Sequence, residues 1–304
     1  MSTSDLTSEH SEPLPCPGAW NAPLGARTTF QVGGTARVLL EPTTEAQVLS
    51  ALSWVSDRGL DLYVMGRGSN LVVSDHGWDG AILVLGKAFS GVEFEGTRAT
   101  ALAGTMLTDL VMQCVRRALG GCEKLAGIPG TVGGAVYINA GAYGQEFRDR
   151  CVSVRSATRS GDARERSAAE CGFAYRTSGF HGLGEIILSA TLDLVPGEVE
   201  DLKRAVQEMQ QARRDKQPLD KPNAGSLFKR PPGGYASQMV DEAGLRGFRV
   251  GNAAISEKHA GFAVNLGGAT AQDVWELSSE VIRRVQASHG VTLEREVIFL
   301  GKFE

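Results

Sequence analysis

The chain has 304 residues, 42% of them apolar, and its 35 acidic and 31 basic side chains leave a net charge of −4. That length and apolar content support two or three compact units, and the absence of a long basic block argues against nucleic acid as the main partner. No apolar stretch reaches the eighteen or more residues of a membrane helix, and the opening MSTSDLTSEHSEPLP has neither the basic start nor the apolar middle of an export signal, so a soluble, cytoplasmic protein is expected.

Residues 1–17 are polar and punctuated by proline, and read as a loose tail. A helix is predicted from Thr43-Thr44-Glu45, with Val48, Leu52 and Val55 on one face and Gly59 as its stop, leading into a strand at Leu62–Met65. Gly66-Arg67-Gly68-Ser69-Asn70 follows as a tight loop before Leu71-Val72-Val73. A glycine loop after a strand suggests a dinucleotide, yet Leu71 stands where a Rossmann third glycine belongs and no helical period follows. Walker A fails as well, because the candidate at Gly80 to Gly86-Lys87 has one residue too many and continues into Ala88.

Short apolar runs alternate with turns over 81–104, and a second helix is predicted from Thr105 to about Leu119, with Leu107, Leu110, Val111 and Cys114 inward. Residues 127–144, GIPGTVGGAVYINAGAYG, then hold six glycines and no charged side chain. So little bulk implies backbone in close approach to something large, either a phosphorylated cofactor held by converging N–H groups or a buried helix crossing a sheet. Strands are expected at 152–154, 186–188 and 190–194, and a charged helix over Glu198–Lys216, striped by Leu202, Val206 and Met209, opens a new domain. A strand at 261–265, a helix with Val274, Leu277, Val281 and Val285, capped by Thr270-x-x-Asp273 and stopped by Gly290, and a strand at 296–300 complete the chain. Five cysteines without a C-x-x-C pair read as reduced thiols, and five scattered histidines give no metal-ligand spacing, so no metal is expected.

Several phrases in this order resemble the UDP-N-acetylenolpyruvoylglucosamine reductases of bacterial cell-wall synthesis. They are Thr29-Phe30-Gln31-Val32-Gly33-Gly34, Gly66 through Leu71, Gly127-Ile128-Pro129-Gly130 through Gly144, Tyr175-Arg176-x-Ser178, Ala224-Gly225-Ser226-Leu227-Phe228-Lys229, Lys258-His259-Ala260-Gly261-Phe262 and Leu293-x-x-Glu296-Val297. The resemblance covers about residues 20–302 and implies an α+β protein: a two-subdomain FAD-binding fold of the vanillyl-alcohol-oxidase type, over 18–80 and 81–197, with a smaller α+β substrate-binding domain over 198–290. Residues 291–304 would return as a strand to the active site.

The same resemblance implies that FAD is reduced by NADPH and then reduces the enolpyruvyl group of UDP-N-acetylglucosamine enolpyruvate. The FAD pyrophosphate would lie against Gly66, Arg67, Gly68, Ser69 and Asn70 on one wall. Gly127, Ile128, Pro129, Gly130, Thr131, Gly133, Gly134, Ala135, Asn139, Gly141 and Gly144 would form the other. Read without the family, Arg67 is a surface cation. No histidine lies in either run, so the FAD is expected to be dissociable.

Arg176 matches the cation that stabilises charge on the enolpyruvyl carboxylate, Ser226 the acid that protonates C2, and Glu296 a carboxyl that acts as acid or arranges the proton there. Read without the family, the three are an ion-paired loop arginine, a turn serine and an edge-strand glutamate. Lys216, Gly225, Lys229, Arg230 and Tyr235 are the expected substrate-binding positions. Phe180–Gly184 runs almost directly into the strand at Ile186, so the extra tyrosine-bearing loop of many members is missing; this and Lys229–Gly234 resemble the shorter-loop subgroup. The alternative is another flavin oxidoreductase on the same fold, an alcohol or hydroxy-acid oxidase, which the Ala-Gly-Ser and Leu-x-x-Glu phrases oppose. An idle flavin- or sugar-nucleotide-binding protein is a further reading, opposed by the presence of Arg176, Ser226 and Glu296 together.

Overall fold

A computed structural model describes residues 12–304. The tail expected over 1–17 lies, through residue 11, outside the described residues; within the described part Glu12 pairs with Arg58 and Cys16 is buried. The chain divides into two compact units of the expected α+β class. One comprises the stretch through Ala22, Ala36–Gly66 and Asp79–Val199; the other comprises Pro23–Thr35, Arg67–Trp78 and Glu200–Glu304.

The first unit is built on two sheets. Four strands run in the order Gly18–Pro23, Thr35–Leu40, Trp78–Val84, Leu62–Met65, the last two parallel with Leu62 opposite Ala81. Five antiparallel strands run in the order Ala163–Ser167, Cys151–Ala157, Ile186–Asp193, Arg98–Leu102, Val92–Glu95. Ile186–Asp193 is one continuous strand where two were expected: it pairs with Cys151–Ala157 on one side, through two register shifts, and over Ser189–Asp193 with Arg98–Leu102 on the other.

The helix Glu45–Asp57 forms as its sequence directs. Thr44 accepts the Gln47 N–H at 3.2 Å, and Val48, Ala51, Leu52 and Val55 are buried. The second helix, Leu107–Arg116, starts two residues later than expected. The Thr105 hydroxyl is held between the Gly91 N–H and carbonyl, at 3.0 and 2.9 Å, and Met106 is extended in a bridge to Thr131. Tertiary bonds thus override the local helical period.

The second unit packs the helix Ala271–His289 against a three-stranded antiparallel sheet, Arg249–Val250, Ala253–Ile255 and Ala263–Asn265. Val274, Leu277, Val281 and Val285 form the predicted stripe and join Val240, Ile255, Leu293 and Val297 in one core. The predicted capping box, Thr270 with Asp273, is present, and Gly290 closes the helix at φ 68°. The C-terminal strand is shorter than expected, Ile298–Leu300, and pairs in parallel with Leu71–Val73. Glu296 falls outside it because its N–H donates to the Leu227 carbonyl at 2.9 Å. Among the described residues all five cysteines are free and buried, and no helix is long and apolar enough to cross a membrane.

Candidate active site

The loop after the strand Leu62–Met65 is shaped by close approach. A Cβ on Gly66 would lie 2.4 Å from Thr131 Oγ1, and one on Gly68, at φ +66°, would lie 2.8 Å from the Arg27 carbonyl and 3.0 Å from the Thr28 Cα. Only glycine accepts both the left-handed backbone and the missing space at position 68. Among the described residues nothing accepts a hydrogen bond from the backbone N–H of Gly66, Arg67, Gly68 or Ser69, and the exposed Arg67 side chain makes no ion pair. Four successive donors beside a cation suit a phosphate-bearing ligand, and this is the observation by which the chain fits FAD. Asn70 is turned elsewhere, donating from Nδ2 to the Glu296 carbonyl at 3.1 Å.

The run 127–144 behaves differently. Gly127 ends a buried 3-10 turn, Glu123–Gly127, and Ile128, the exposed Pro129 and Gly130 lead into Thr131. Thr131 caps the helix Val132–Tyr137, in which Ala135 is buried. The Val132 N–H donates to the Thr105 carbonyl at 2.9 Å and the Gly133 N–H to the Ala103 carbonyl at 2.8 Å, so both are used inside the protein. The Cβ position of Gly133 is filled by Ala103, and that of Gly141 by the Gln145 carbonyl at 2.7 Å and Glu146. Gly134 is the exception: it is exposed, its N–H reaches Thr131 Oγ1 only at 3.5 Å, and a Cβ there would meet Thr131 Oγ1 at 3.7 Å, an ordinary contact. Tyr143 and Gly144, at φ 54° and 78°, form the two-residue turn of the hairpin Gly141–Ala142 with Gln145–Glu146.

Asn139, expected on the second FAD wall, directs its side chain into the protein. It is fully buried at φ 45°, and its amide is satisfied internally: Nδ2 donates to Glu146 Oε2 at 2.9 Å and to the Ala174 carbonyl at 3.0 Å, while Oδ1 accepts from the Arg148 N–H at 3.1 Å. A side chain with both amide hydrogens directed inward presents no donor to a cofactor. Gly133 and Gly141 likewise face the protein itself.

Arg176 occupies the third position of a four-residue turn closed by mutual backbone bonds between Ala174 and Thr177, at 3.0 and 3.3 Å. Its φ of 53° is one that glycine or asparagine normally supplies there, a strain of roughly 1–3 kcal/mol for other residues. Arg176 Nη1 donates to the Gly141 carbonyl at 3.2 Å, and Ser178 Oγ donates to the Tyr137 carbonyl at 2.7 Å. Tyr175 is exposed, its ring 5.5 Å from the Arg176 guanidinium carbon.

In the second unit Ser226 and Glu296 lie on adjoining segments. Ser226 bridges Phe262 and Phe228 bridges Arg295, both antiparallel, while Leu227 accepts from the Glu296 N–H. Ser226 is exposed and its hydroxyl makes no hydrogen bond among the described residues. Gly225, at φ +79°, turns the chain into it, with its N–H held by Asn223 Oδ1 at 3.0 Å. Lys216 ends the helix Val199–Lys216 with its side chain exposed. Lys229 is ion-paired with Glu294, and the Arg230 guanidinium stacks 4.1 Å from the ring centre of the exposed Tyr235.

Two supporting residues escaped the sequence reading. Thr29 donates from Oγ1 to the Asn223 carbonyl at 2.7 Å and from its N–H to the Gly68 carbonyl at 3.2 Å, tying the glycine loop to the approach to Ser226. Arg295 lies 4.0 Å from the Trp275 ring centre and bonds Ser278 and Ser279, at 2.8 and 2.6 Å, fixing the segment that carries Glu296. The phrase Thr29–Gly34 drew attention to Thr29 without disclosing partners so distant in sequence.

Comparison with known proteins adds a different kind of observation. A family model described as an FAD binding domain matches residues 36–167, and one described as the UDP-N-acetylenolpyruvoylglucosamine reductase C-terminal domain matches residues 217–300. The chain is 41% identical over 286 residues to the UDP-N-acetylenolpyruvoylglucosamine reductase of Lachnoclostridium phytofermentans, covering 93% of this chain and 92% of that one. It is 40% identical over 280 residues to the enzyme of the same name from Clostridioides difficile, covering 92% of each. The crystal structure of the reductase from Thermus caldophilus matches with a TM-score of 0.79 at 36% identity, over 92% of this chain and 98% of that chain.

Proposed function

The chain belongs to the UDP-N-acetylenolpyruvoylglucosamine reductase family, and we propose that it reduces the enolpyruvyl group of UDP-N-acetylglucosamine enolpyruvate to give UDP-N-acetylmuramate, in the cytoplasm, for peptidoglycan precursor synthesis. The observation that carries this reading is agreement with the reductases over nine-tenths of the chain, within which Arg176, Ser226 and Glu296 all stand in the family's phrases. The alternative of an alcohol or hydroxy-acid oxidase finds no comparable support. An idle binding protein would not require those three residues.

FAD, when bound, would supply the redox chemistry that carries hydride from NADPH to the enolpyruvyl group. The chain's own residues do the rest. The N–H groups of Gly66–Ser69 and the Arg67 cation would hold the FAD pyrophosphate. Addition at C3 drives charge toward C2 and the carboxylate, and Arg176 opposes that charge as it develops. Ser226 gives its hydroxyl proton to C2; a hydroxyl with no acceptor among the described residues is available for that transfer. Glu296 assists the proton, and Lys216, Gly225, Lys229, Arg230 and Tyr235 receive the sugar nucleotide. Lys229 would exchange its Glu294 partner for a phosphate oxygen. Residues 18–80 and 81–197 would serve the flavin and 198–290 the substrate.

Anaerobic rapid mixing tests this. NADPH should bleach the flavin and the enolpyruvyl substrate should restore its colour without oxygen. Arg176→Ala should leave bleaching largely intact and slow recolouring by ~10²–10³, and Ser226→Ala should slow the same step by roughly 10²–10⁴, with Ser226→Cys partly restoring it. Recolouring only by oxygen would favour an oxidase, and equal slowing of both steps would remove the assigned roles.

A further inference from the structure

We infer that Asn139 is a positioning residue that sets the Arg176 turn for the second half of the reaction; this rests on the reading above, in which Arg176 opposes charge on the enolpyruvyl group. Arg176 is held at φ 53° in a turn whose first residue, Ala174, is exposed. A strained turn at the surface needs ties from elsewhere to persist. Asn139 supplies one from complete burial, through Nδ2 to the Ala174 carbonyl at 3.0 Å.

The other bonds of Asn139 fix where that tie is anchored. Nδ2 also donates to Glu146 Oε2 at 2.9 Å, and Oδ1 accepts from the Arg148 N–H at 3.1 Å. Glu146 in turn pairs with Arg148 at 2.8 Å, and Arg148 Nη1 donates to the Phe173 carbonyl at 3.4 Å, the residue before the turn. Glu146 pairs across the hairpin with Gly141, whose carbonyl accepts from Arg176 itself at 3.2 Å. One buried amide therefore sits between the backbone of the turn and the hairpin that its guanidinium grips. Its displacement would move both the origin and the anchor of the Arg176 side chain.

Asn139 itself lies at φ 45°, which asparagine tolerates and which glycine adopts freely. Asn139→Gly thus removes the amide while keeping the backbone, and Asn139→Asp keeps the shape and the acceptor for Arg148 while removing both donors. In either variant, FAD occupancy and bleaching by NADPH should be retained and recolouring by the enolpyruvyl substrate should slow about 10- to 100-fold, the scale of a small misplacement of a reacting group. A fall in the rate constant at saturating substrate, with little change in half-saturation, marks loss of positioning rather than of binding.

The discriminating step is a double-mutant cycle. In an Arg176→Ala background, Asn139→Gly should slow recolouring less than about threefold, because the cation it positions is gone. An effect of full size there, an equal slowing of both half-reactions, loss of FAD as the main defect, or loss of the folded flavoprotein in both Asn139 variants would each overturn the inference. Selective slowing in Arg176→Ala with none in the Asn139 variants overturns the inference alone. Absence of selective slowing in Arg176→Ala overturns the reading beneath it as well.

Discussion

The two glycine-rich segments of the first half of the chain look alike in composition and differ in what their backbones do. In 66–69, four successive N–H groups have no acceptor among the described residues; in 127–144, Val132, Gly133 and Asn139 direct their hydrogen bonds into the protein. Gly66 and Gly68 make room for neighbouring chain and still leave the N–H groups of their segment without acceptors among the described residues. Gly133 and Gly141 make room in the same way, but there the backbone donors Val132 and Gly133 are bonded inside the protein. Low side-chain bulk therefore signals close approach, and the object approached is decided by where the backbone hydrogen bonds go.

That contrast can be broken first through the support of the self-packed run. The helix Val132–Tyr137 packs on the strand Ile186–Asp193, and Glu185, just before that strand, is buried with its side chain 1% exposed. Arg166 holds its carboxyl through bonds of 2.7 and 2.9 Å, Ser156 adds one of 2.7 Å, and Arg164 pairs with it, so the group is pushed down to about 2 against burial that opposes the shift. An unfolded glutamate titrates near 4.5. The folded state thus binds fewer protons between these values. The contribution, up to about 3 kcal/mol, is fully present above pH 4.5 and is lost as pH falls toward 2. Chemical denaturation across that range should show the loss, and Glu185→Gln should flatten it.

A smaller effect separates the two uses of glycine directly. Gly141→Ala places a methyl 2.7 Å from the Gln145 carbonyl, so the hairpin must shift at an expense of about 1–3 kcal/mol. Denaturation of the apoprotein should move by that amount. Gly134→Ala, whose methyl meets only Thr131 Oγ1 at an ordinary 3.7 Å, should leave apoprotein stability unchanged or slightly raised. Equal destabilisation in both would erase the distinction.

Local signals made much of the scaffold legible. The helices Glu45–Asp57 and Ala271–His289 announced themselves through Thr44 and the Thr270–Asp273 box, because a cap and an apolar period are written within a few residues of each other. The start of Leu107–Arg116 was not legible, since Thr105 is claimed by Gly91, fourteen residues earlier. The same limit applied at the site. The ordered phrases of the sequence marked Arg176, Ser226 and Glu296, but the inward role of Asn139 depends on a carbonyl 35 residues away and that of Thr29 on one 194 away. Short polar residues beside glycine carry no mark of which partner they will find.

Amide hydrogen exchange, compared between apoprotein and FAD-loaded protein, tests the central contrast most directly. The N–H groups of Arg67, Gly68 and Ser69, without acceptors among the described residues, should exchange fast in the apoprotein and become protected when FAD binds. Those of Val132 and Gly133, already bonded to Thr105 and Ala103, should be protected in both states. Unchanged exchange at 67–69 on FAD binding, with new protection confined to 132–133, would contradict the assignment of the two segments.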